Sequence, residues 1–320
     1  MREEKMNSLN NLFNSENVDD LCRFYTSLKD TEDLVEFCEW RKNNSGKPEI
    51  YVHNEDSPSE TVVIVLTPRV DDKYALNCRS IFPDCPILFV HGRSPYFNES
   101  QYFNAGIREA LSFDPHWIVL SSDDVYKLDD ATMLTEGLSR LDHRQVDQVW
   151  ISPKPDYYHS YDAYITSRLI VEKIYHSIRG SYYSAIDKFY DKFSIKHIVL
   201  PVRPITKPIR YYLYHTLFPA ILYRRILRLR MTSDFAVLSS EFLKTQPNGR
   251  LLNDLFVTQE DIDLSLRLLH ARSVTVDYRV GSYIGGHYAV GMRKAMKEIL
   301  NLALFNYLAR NGEYPEIGES

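Results

Sequence analysis

Three short apolar runs, each followed by polar residues, constrain the fold of this 320-residue chain more than any other feature. The runs are Thr61–Leu66, Ile87–Val90 and Trp117–Leu120. Continuous rather than alternating hydrophobicity is typical of strands that are buried on both faces of a parallel sheet. The intervening segments, around residues 74–81 and 100–111, have the periodicity of helices. The sequence therefore predicts an α/β fold with a mostly parallel sheet flanked by helices.

The polar residues that follow these strands are the first place to look for chemistry. In open parallel sheets, ligands bind beyond the carboxyl ends of the strands. The three predicted strand exits are residues 67–69, 91–94 and 121–125. We expect side chains from these exits to line one site.

The remaining predicted parts are an N-terminal helical arm and the two halves of the core. Residues 1–46 carry apolar residues at helical spacing and predict an N-terminal helical arm that needs a core to pack on. Residues 47–152 would form the first half of the core. Residues 233–320 would form its second half, ending in an amphipathic helix from about Arg293 to Arg310.

Residues 153–232 differ in composition from the rest of the chain and predict a helical insertion rich in Tyr and Arg. The formal net charge is −5, yet Lys192–Ser233 holds nine Lys or Arg and no Asp or Glu. Aromatic and aliphatic residues alternate with the basic ones in residues 203–230, a combination that suits an anionic membrane surface. The basic residues are Arg203, Lys207, Arg210, Arg224, Arg225, Arg228 and Arg230. A solvated hairpin is the alternative, and we expect no nucleic-acid partner.

The four cysteines form no CxxC pair, and the N-terminus has charged residues but no apolar run. We therefore expect a reduced, cytoplasmic protein without a signal peptide or membrane-spanning helix, peripheral to a membrane through residues 203–230.

Asp123 and Asp124 directly follow the third apolar strand. Paired carboxylates at a strand exit are suited to Mg²⁺ or Mn²⁺, since hard cations prefer oxygen ligands. The alternative is a polar turn that caps the next helix, a role for which Asp129 and Asp130 are closer.

Two later motifs are weaker when taken alone. Glu260 and Asp261 begin a predicted helix and could supply a general base for an acceptor hydroxyl. With Thr258 they also form a capping-box pattern, which is a purely structural explanation. His287 follows two glycines and could reach a metal, although a lone histidine is usually structural or exposed.

The order of these motifs from Thr61 to His287 resembles the inverting glycosyltransferase family 2, which has a GT-A fold. Val62–Arg69 and the following helix look like the family's first strand and helix. Asn104-Ala105-Gly106 resembles its asparagine–glycine helix, and Trp117–Val125 resembles the strand that leads into its DxD-type motif. Glu260–Leu264, with Arg267, is similar to its "ED" helix. The second strand ends in residues 91–94, where the family usually has an aspartate that reads the nucleobase.

The resemblance implies transfer of a sugar from a UDP- or GDP-sugar to an acceptor hydroxyl with inversion. Asp124 and His287 would be metal ligands for Mn²⁺ or Mg²⁺, and Asp261, with Glu260, would be the catalytic base. The residues expected to border the nucleotide are Thr67, Pro68, Arg69, His91, Arg93, Asn104 and Asp123. The acceptor, whether lipid, glycan or protein, is left open.

Two other functions are compatible with the sequence. A nucleotidyltransferase of the same fold would need a triphosphate loop after the first strand, but residues 67–72 contain no glycine. A non-catalytic module would use the α/β core only to present the basic insertion to a membrane or a protein partner.

Overall fold

The computed structural model describes residues 2–92, 95–152, 160–168, 184–202, 227–232, 235–256, 261–282 and 292–317. The helices are α1 (Arg2–Asn14), α2 (Val18–Ser27), α3 (Thr31–Asn44), α4 (Lys73–Ile81), α5 (Glu99–Leu111), α6 (Ala131–Ser139), α7 (Ser184–Lys192), α8 (Ser240–Lys244), α9 (Asp261–Arg267) and α10 (Met292–Arg310). Short 3₁₀ turns lie at Pro247–Gly249 and Pro315–Ile317.

The strands are also numbered in chain order. They are β1 (Glu49–His53), β2 (Thr61–Thr67), β3 (Ile87–His91), β4 (Trp117–Ser122), β5 (Val125–Lys127), β6 (Gln148–Ile151), β7 (Ser160–Ser167), β8 (His197–Val202), β9 (Leu227–Thr232), β10 (Phe235–Ser239), β11 (Ser273–Val276) and β12 (Val280–Ser282).

The chain divides into two compact units. The sheet unit comprises Ser45–Ser160 and Thr232–His287, and the helical unit comprises Met1–Asn44, Tyr161–Met231 and Tyr288–Ser320.

The sheet unit is built on a seven-stranded sheet in the order β1-β3-β2-β4-β10-β6-β11. Strands β3, β2, β4, β6 and β11 point the same way, whereas β1 and β10 run in the opposite direction. The predicted mixed α/β fold with a mostly parallel sheet is therefore confirmed. Strand β1 was not predicted because its residues are largely exposed and lack the apolar run that marks the central strands.

Helices cover both faces of this sheet. One face buries side chains such as Val63, Val65 and Val119 against α4 and α6. The other face buries Ile64, Leu88 and Leu120 against α5, α8 and α9. Burial on both faces explains why the central strands are apolar at every position.

The helical unit buries an aromatic cluster. Phe13, Phe24 and Phe37 come from the three N-terminal helices, and their ring centroids lie 4.8–5.8 Å apart. The Tyr25 hydroxyl donates a hydrogen bond to the Met296 carbonyl oxygen of α10. The predicted N-terminal helices therefore pack in this unit. The C-terminal helix, which the sequence assigned to the second half of the core (residues 233–320), packs with them.

The prediction that residues 153–232 form a helical insertion is wrong for the part that the structure describes. Strands β8, β7 and β9 form a three-stranded sheet there, with α7 as the one described helix. In β9, Leu229 and Met231 are buried while Arg228 and Arg230 are exposed. This two-residue alternation is a strand signal, which the basic composition obscured. The remaining basic residues of 203–226 lie outside the described residues.

Within the described residues, the structure contains no helix of the length and apolarity needed to cross a membrane.

Candidate active site

The exits of three parallel strands meet at one edge of the central sheet. In the ladder, Thr67 at the end of β2 is opposite His91 at the end of β3, and Leu66 is opposite Ser122 at the end of β4. Asp123 and Asp124 follow β4 immediately. The sheet therefore brings the three predicted exits to one edge, as the sequence indicated.

Asp123 is joined to the first strand exit by a hydrogen bond. The Thr67 hydroxyl donates to the Asp123 carboxylate, with 2.8 Å between Oγ1 and Oδ2. The same hydroxyl oxygen accepts a hydrogen bond from the backbone N–H of Arg69 at 3.2 Å. Because Thr67 is only 2% exposed, this bond fixes the turn after β2 against the carboxylate pair.

Asp124 is largely buried, with 9% of its surface exposed. The Ser122 hydroxyl donates to Asp124 Oδ1 at 2.6 Å. On the following strand, the Val125 carbonyl oxygen accepts a hydrogen bond from the Asn77 side-chain amide of α4 at 2.7 Å. These hydrogen bonds position the Asp124 carboxylate and the start of β5 beside the exit of β4.

Cys78 of α4 lies beside this pair, with its Sγ 3.5 Å from the Asp123 carbonyl oxygen. Burial, followed by the charges of Asp123 and Asp124, raises the pKa of the Cys78 thiol to about 12. The thiol is thus neutral at physiological pH and contributes no negative charge to the site.

His91 connects the exits of β2 and β3. Its Nε2 lies 2.9 Å from the Pro68 carbonyl oxygen, to which the Nε2–H tautomer donates. Its Nδ1 lies 3.6 Å from Glu49 Oε2 of β1. The Arg69 side chain is more than half exposed and faces Asp71, with 3.4 Å between Nε and Oδ1. Arg93 lies outside the described residues.

Asn104 has a different position from the other predicted nucleotide-binding residues. It lies on α5, which covers the sheet face opposite to the one that buries Cys78 and α4. Its amide donates to the Leu252 carbonyl at 2.8 Å and to the Asp254 carboxylate at 2.7 Å. Its carbonyl accepts from the backbone N–H groups of Leu251 and Leu252. All four hydrogen-bonding positions of this side chain are therefore used to hold residues 251–254.

The segment held by Asn104 leads into the helix that carries Asp261. Asp261 is the first residue of α9 and is partly buried. Two positions further on, Asp263 is completely buried, and its carboxylate accepts hydrogen bonds from the Asn253 backbone N–H at 2.6 Å and from Arg267 Nε at 3.1 Å. Asp263 is therefore a structural anchor for α9. Glu260 lies outside the described residues.

The anchoring roles of Asp263 and Asp254 were missed by the sequence-based predictions. For Asp263 a signal exists, because an Asp–Arg pair at i,i+4 is a common helix-stabilising pattern. Asp254 also has an arginine four positions away, since Arg250 lies 3.3 Å from its carboxylate, but its contacts with Asn98 and Asn104 are remote in sequence and have no local signal.

A two-stranded ribbon leads away from the carboxylate pair. In it, β12 pairs antiparallel with β5, and Ser282 is opposite Val125, the neighbour of Asp124. Asp129 and Arg279 hold the far end of the ribbon by a bidentate ion pair, with distances of 2.6 and 3.0 Å. These hydrogen bonds hold the pKa of the Asp129 carboxyl below its usual value. His287 follows Ser282 by five positions but lies outside the described residues.

Asp130, rather than Asp123 or Asp124, is the N-cap of helix α6, since its carboxylate accepts from the Thr132 backbone N–H. The capping explanation for the Asp123–Asp124 pair is therefore not needed. The described residues include no group of three or more His, Cys, Asp or Glu side chains arranged to hold a metal.

No protein-family model and no curated protein match the chain. Among solved structures, the crystal structure of A197 from STIV is similar over 70% of this chain and 85% of that chain, with 9% sequence identity and a TM-score of 0.38.

Proposed function

We propose that this protein is a metal-dependent glycosyltransferase that moves a sugar from a UDP- or GDP-sugar to an acceptor hydroxyl with inversion. The observation that carries the proposal is the carboxylate pair at the common exit of β2 and β4. Asp123 is hydrogen-bonded to Thr67 across the two strands, and Asp124 is largely buried beside it. The edge formed by parallel strand exits is where α/β sheets bind nucleotide ligands.

The donor set fits a hard divalent cation. Asp123 and Asp124 offer carboxylate oxygens, the ligand type that Mg²⁺ and Mn²⁺ prefer. In our proposal Asp124 holds the ion with the help of Asp123, and His287 is a further ligand. When bound, such an ion neutralises charge on the diphosphate leaving group. The Cys78 thiol is neutral and therefore does not compete with the carboxylates for the cation.

The proposed base is Asp261. As the acceptor oxygen forms its bond to the anomeric carbon, the bond from that carbon to the diphosphate oxygen breaks, and Asp261 takes the hydroxyl proton. A base must be held in a fixed position to act, and α9 is anchored through the buried Asp263 carboxylate. Glu260 would assist Asp261.

The nucleotide would lie against the turn after β2 and the end of β3, bordered by Thr67, Pro68, Arg69, His91 and Arg93. His91 fixes the position of the Pro68 carbonyl. We assign Asn104 an indirect role, since its hydrogen bonds hold the segment that precedes α9 rather than the strand exits.

Binding of UDP and GDP, measured calorimetrically with and without Mn²⁺, tests the proposal. We expect Mn²⁺ to tighten binding of one nucleotide, and Asp124→Asn to abolish that gain. Asp114→Asn is the matched control, because Asp114 precedes β4 at its other end and its side chain is 87% exposed.

Turnover with the matching nucleotide sugar then tests the base. Loss of a positioned general base costs on the order of 10²–10⁴-fold in rate, so Asp261→Asn should abolish most transfer while leaving nucleotide binding intact. Absence of any nucleotide that binds more tightly with Mn²⁺ or Mg²⁺ would refute the proposed mechanism.

A further inference from the structure

Strand β1 forms an open edge of the central sheet. It pairs with β3 on one side, and no described strand pairs with it on the other. Its exposed residues include two neighbouring large hydrophobic side chains, Tyr51 at 45% and Val52 at 36% exposure. Proteins usually protect such edges against pairing with other chains, and within β1 there is neither a lysine nor a proline.

The sequence of β1 is complementary to itself when read in the opposite direction. If two copies pair antiparallel with Tyr51 opposite Tyr51, Ile50 lies opposite Val52 and Glu49 lies opposite His53. Aromatic pairs, apolar pairs and pairs of a carboxylate with a basic group are the cross-strand combinations that stabilise antiparallel sheets. No register shifted by one residue gives the same matches, since the side chains would then change faces.

The residues that flank β1 extend this complementarity. Lys47 precedes the strand and is exposed, while exposed Glu55 and Asp56 follow it in a turn. The turn begins at Asn54, which has a positive φ of 56°. In the same antiparallel pairing, Lys47 of one copy is brought to the acidic turn of the other.

We propose that β1 is a homodimer interface, in which β1 pairs antiparallel with β1 of a second copy about a twofold axis at Tyr51. The partner is a second copy of this chain, because each residue of β1 lies opposite a complementary residue of the other copy's β1, as a twofold interface requires. The two seven-stranded sheets then form one continuous sheet across the interface. Pairing of two five-residue strands is smaller than a standard interface, so the dimer is weak and its population depends on concentration.

Sedimentation velocity of the full chain over a wide concentration range tests the interface. We expect the mass to rise from that of the 37.5 kDa chain towards twice this value. Glu49→Lys should weaken dimerisation about tenfold or more, because both symmetry-related Glu49–His53 contacts lose the carboxylate that accepts from the imidazole. His53→Glu should do the same by placing two carboxylates opposite each other.

Charge exchange identifies the partner and the register. An equimolar mixture of the Glu49→Lys and His53→Glu proteins should form a heterodimer, and the double variant should regain the homodimer. Glu109→Lys, an equal charge change at an exposed position of α5, should leave the mass unchanged.

Circular dichroism verifies that each variant is folded. The Glu49 side chain is 67% exposed, so reversal of its charge should be tolerated. A wild-type mass that stays at 37.5 kDa at all concentrations, or a dimer that neither single reversal weakens, would overturn the proposal.

Discussion

At the scale of single residues, the Asn104 amide joins two parts of the sheet unit that lie 150 positions apart in sequence. Replacing it with Ala leaves the backbone N–H groups of Leu251 and Leu252 without their buried acceptor and removes one partner of the Asp254 carboxylate, which keeps Arg250. Each unsatisfied buried group costs about 1–3 kcal/mol. We therefore expect Asn104→Ala to lower the free energy of unfolding by about 3 kcal/mol in denaturant titrations.

The exposed Glu109 on the same helix provides the comparison, since Glu109→Ala should change stability by less than about 0.5 kcal/mol. If Asn104 contacted the nucleotide directly, Asn104→Ala would weaken nucleotide binding and leave the unfolding curve in place. That result would contradict the anchoring role.

At the scale of elements, the close packing of α5 on the sheet depends on Gly106. A Cβ atom at this position would lie 2.6 Å from Cγ2 of Ile64 and 3.0 Å from Cγ2 of Val90. Both atoms belong to buried strands, so relief requires α5 to move away. We expect Gly106→Ala to destabilise the protein by about 1–3 kcal/mol, measured by thermal or denaturant unfolding.

Gly137 of α6 is the matched glycine, because a Cβ there would meet Val276 at an ordinary 3.5 Å. Gly137→Ala should be neutral or stabilise by up to about 1 kcal/mol, since alanine favours the helix. Equal effects of the two substitutions would mean that helix propensity, rather than the contact with Ile64, decides the outcome.

The elements also show how far the sequence could predict this fold. The buried strands β2, β3 and β4 are evident from their apolar runs, and the position of Asp123 and Asp124 follows from them. The reversed direction of β10 has no such signal. Phe235–Ser239 is buried at every residue, as the parallel strands are, and burial on both faces does not depend on strand direction. The hold of Asn104 on residues 251–254, the segment before α9, joins positions that are remote in sequence, and no local pattern encodes it.

At the scale of the whole molecule, buried thiols in both units predict sensitivity to alkali. Burial raises the pKa of Cys38 and of Cys78 to about 12, and raises that of Cys85 as well. Above the ordinary thiol pKa of about 8.5, the unfolded chain loses these protons while the folded chain keeps them. The free energy of unfolding should therefore fall as the pH rises from about 8.5 towards 12.

Denaturant titrations at pH 7.5, 9 and 10.5 measure this fall, which is on the order of 1–3 kcal/mol per buried thiol at the highest pH. Tyrosines titrate in the same range, so the test is the difference between the wild type and a Cys38→Ala/Cys78→Ala variant. The variant should start from a lower stability but lose less of it with pH. Parallel pH profiles for the two proteins would rule out the thiols as the cause.

The arrangement of the two units along the chain has a consequence for the order in which the protein folds during synthesis. The sheet unit lies entirely within the sequence of the helical unit, since residues 1–44 and 288–320 both belong to the latter. Helices α1–α3 are thus made before the sheet unit, whereas α10, which packs against α2 and α3, is made after it. The faces of α2 and α3 that α10 covers therefore wait until the sheet unit has been translated, and contacts of such long sequence separation form slowly. A nascent chain released before α10 would expose the faces of α2 and α3 that α10 covers, including Tyr25, and we expect it to aggregate more readily than the full chain.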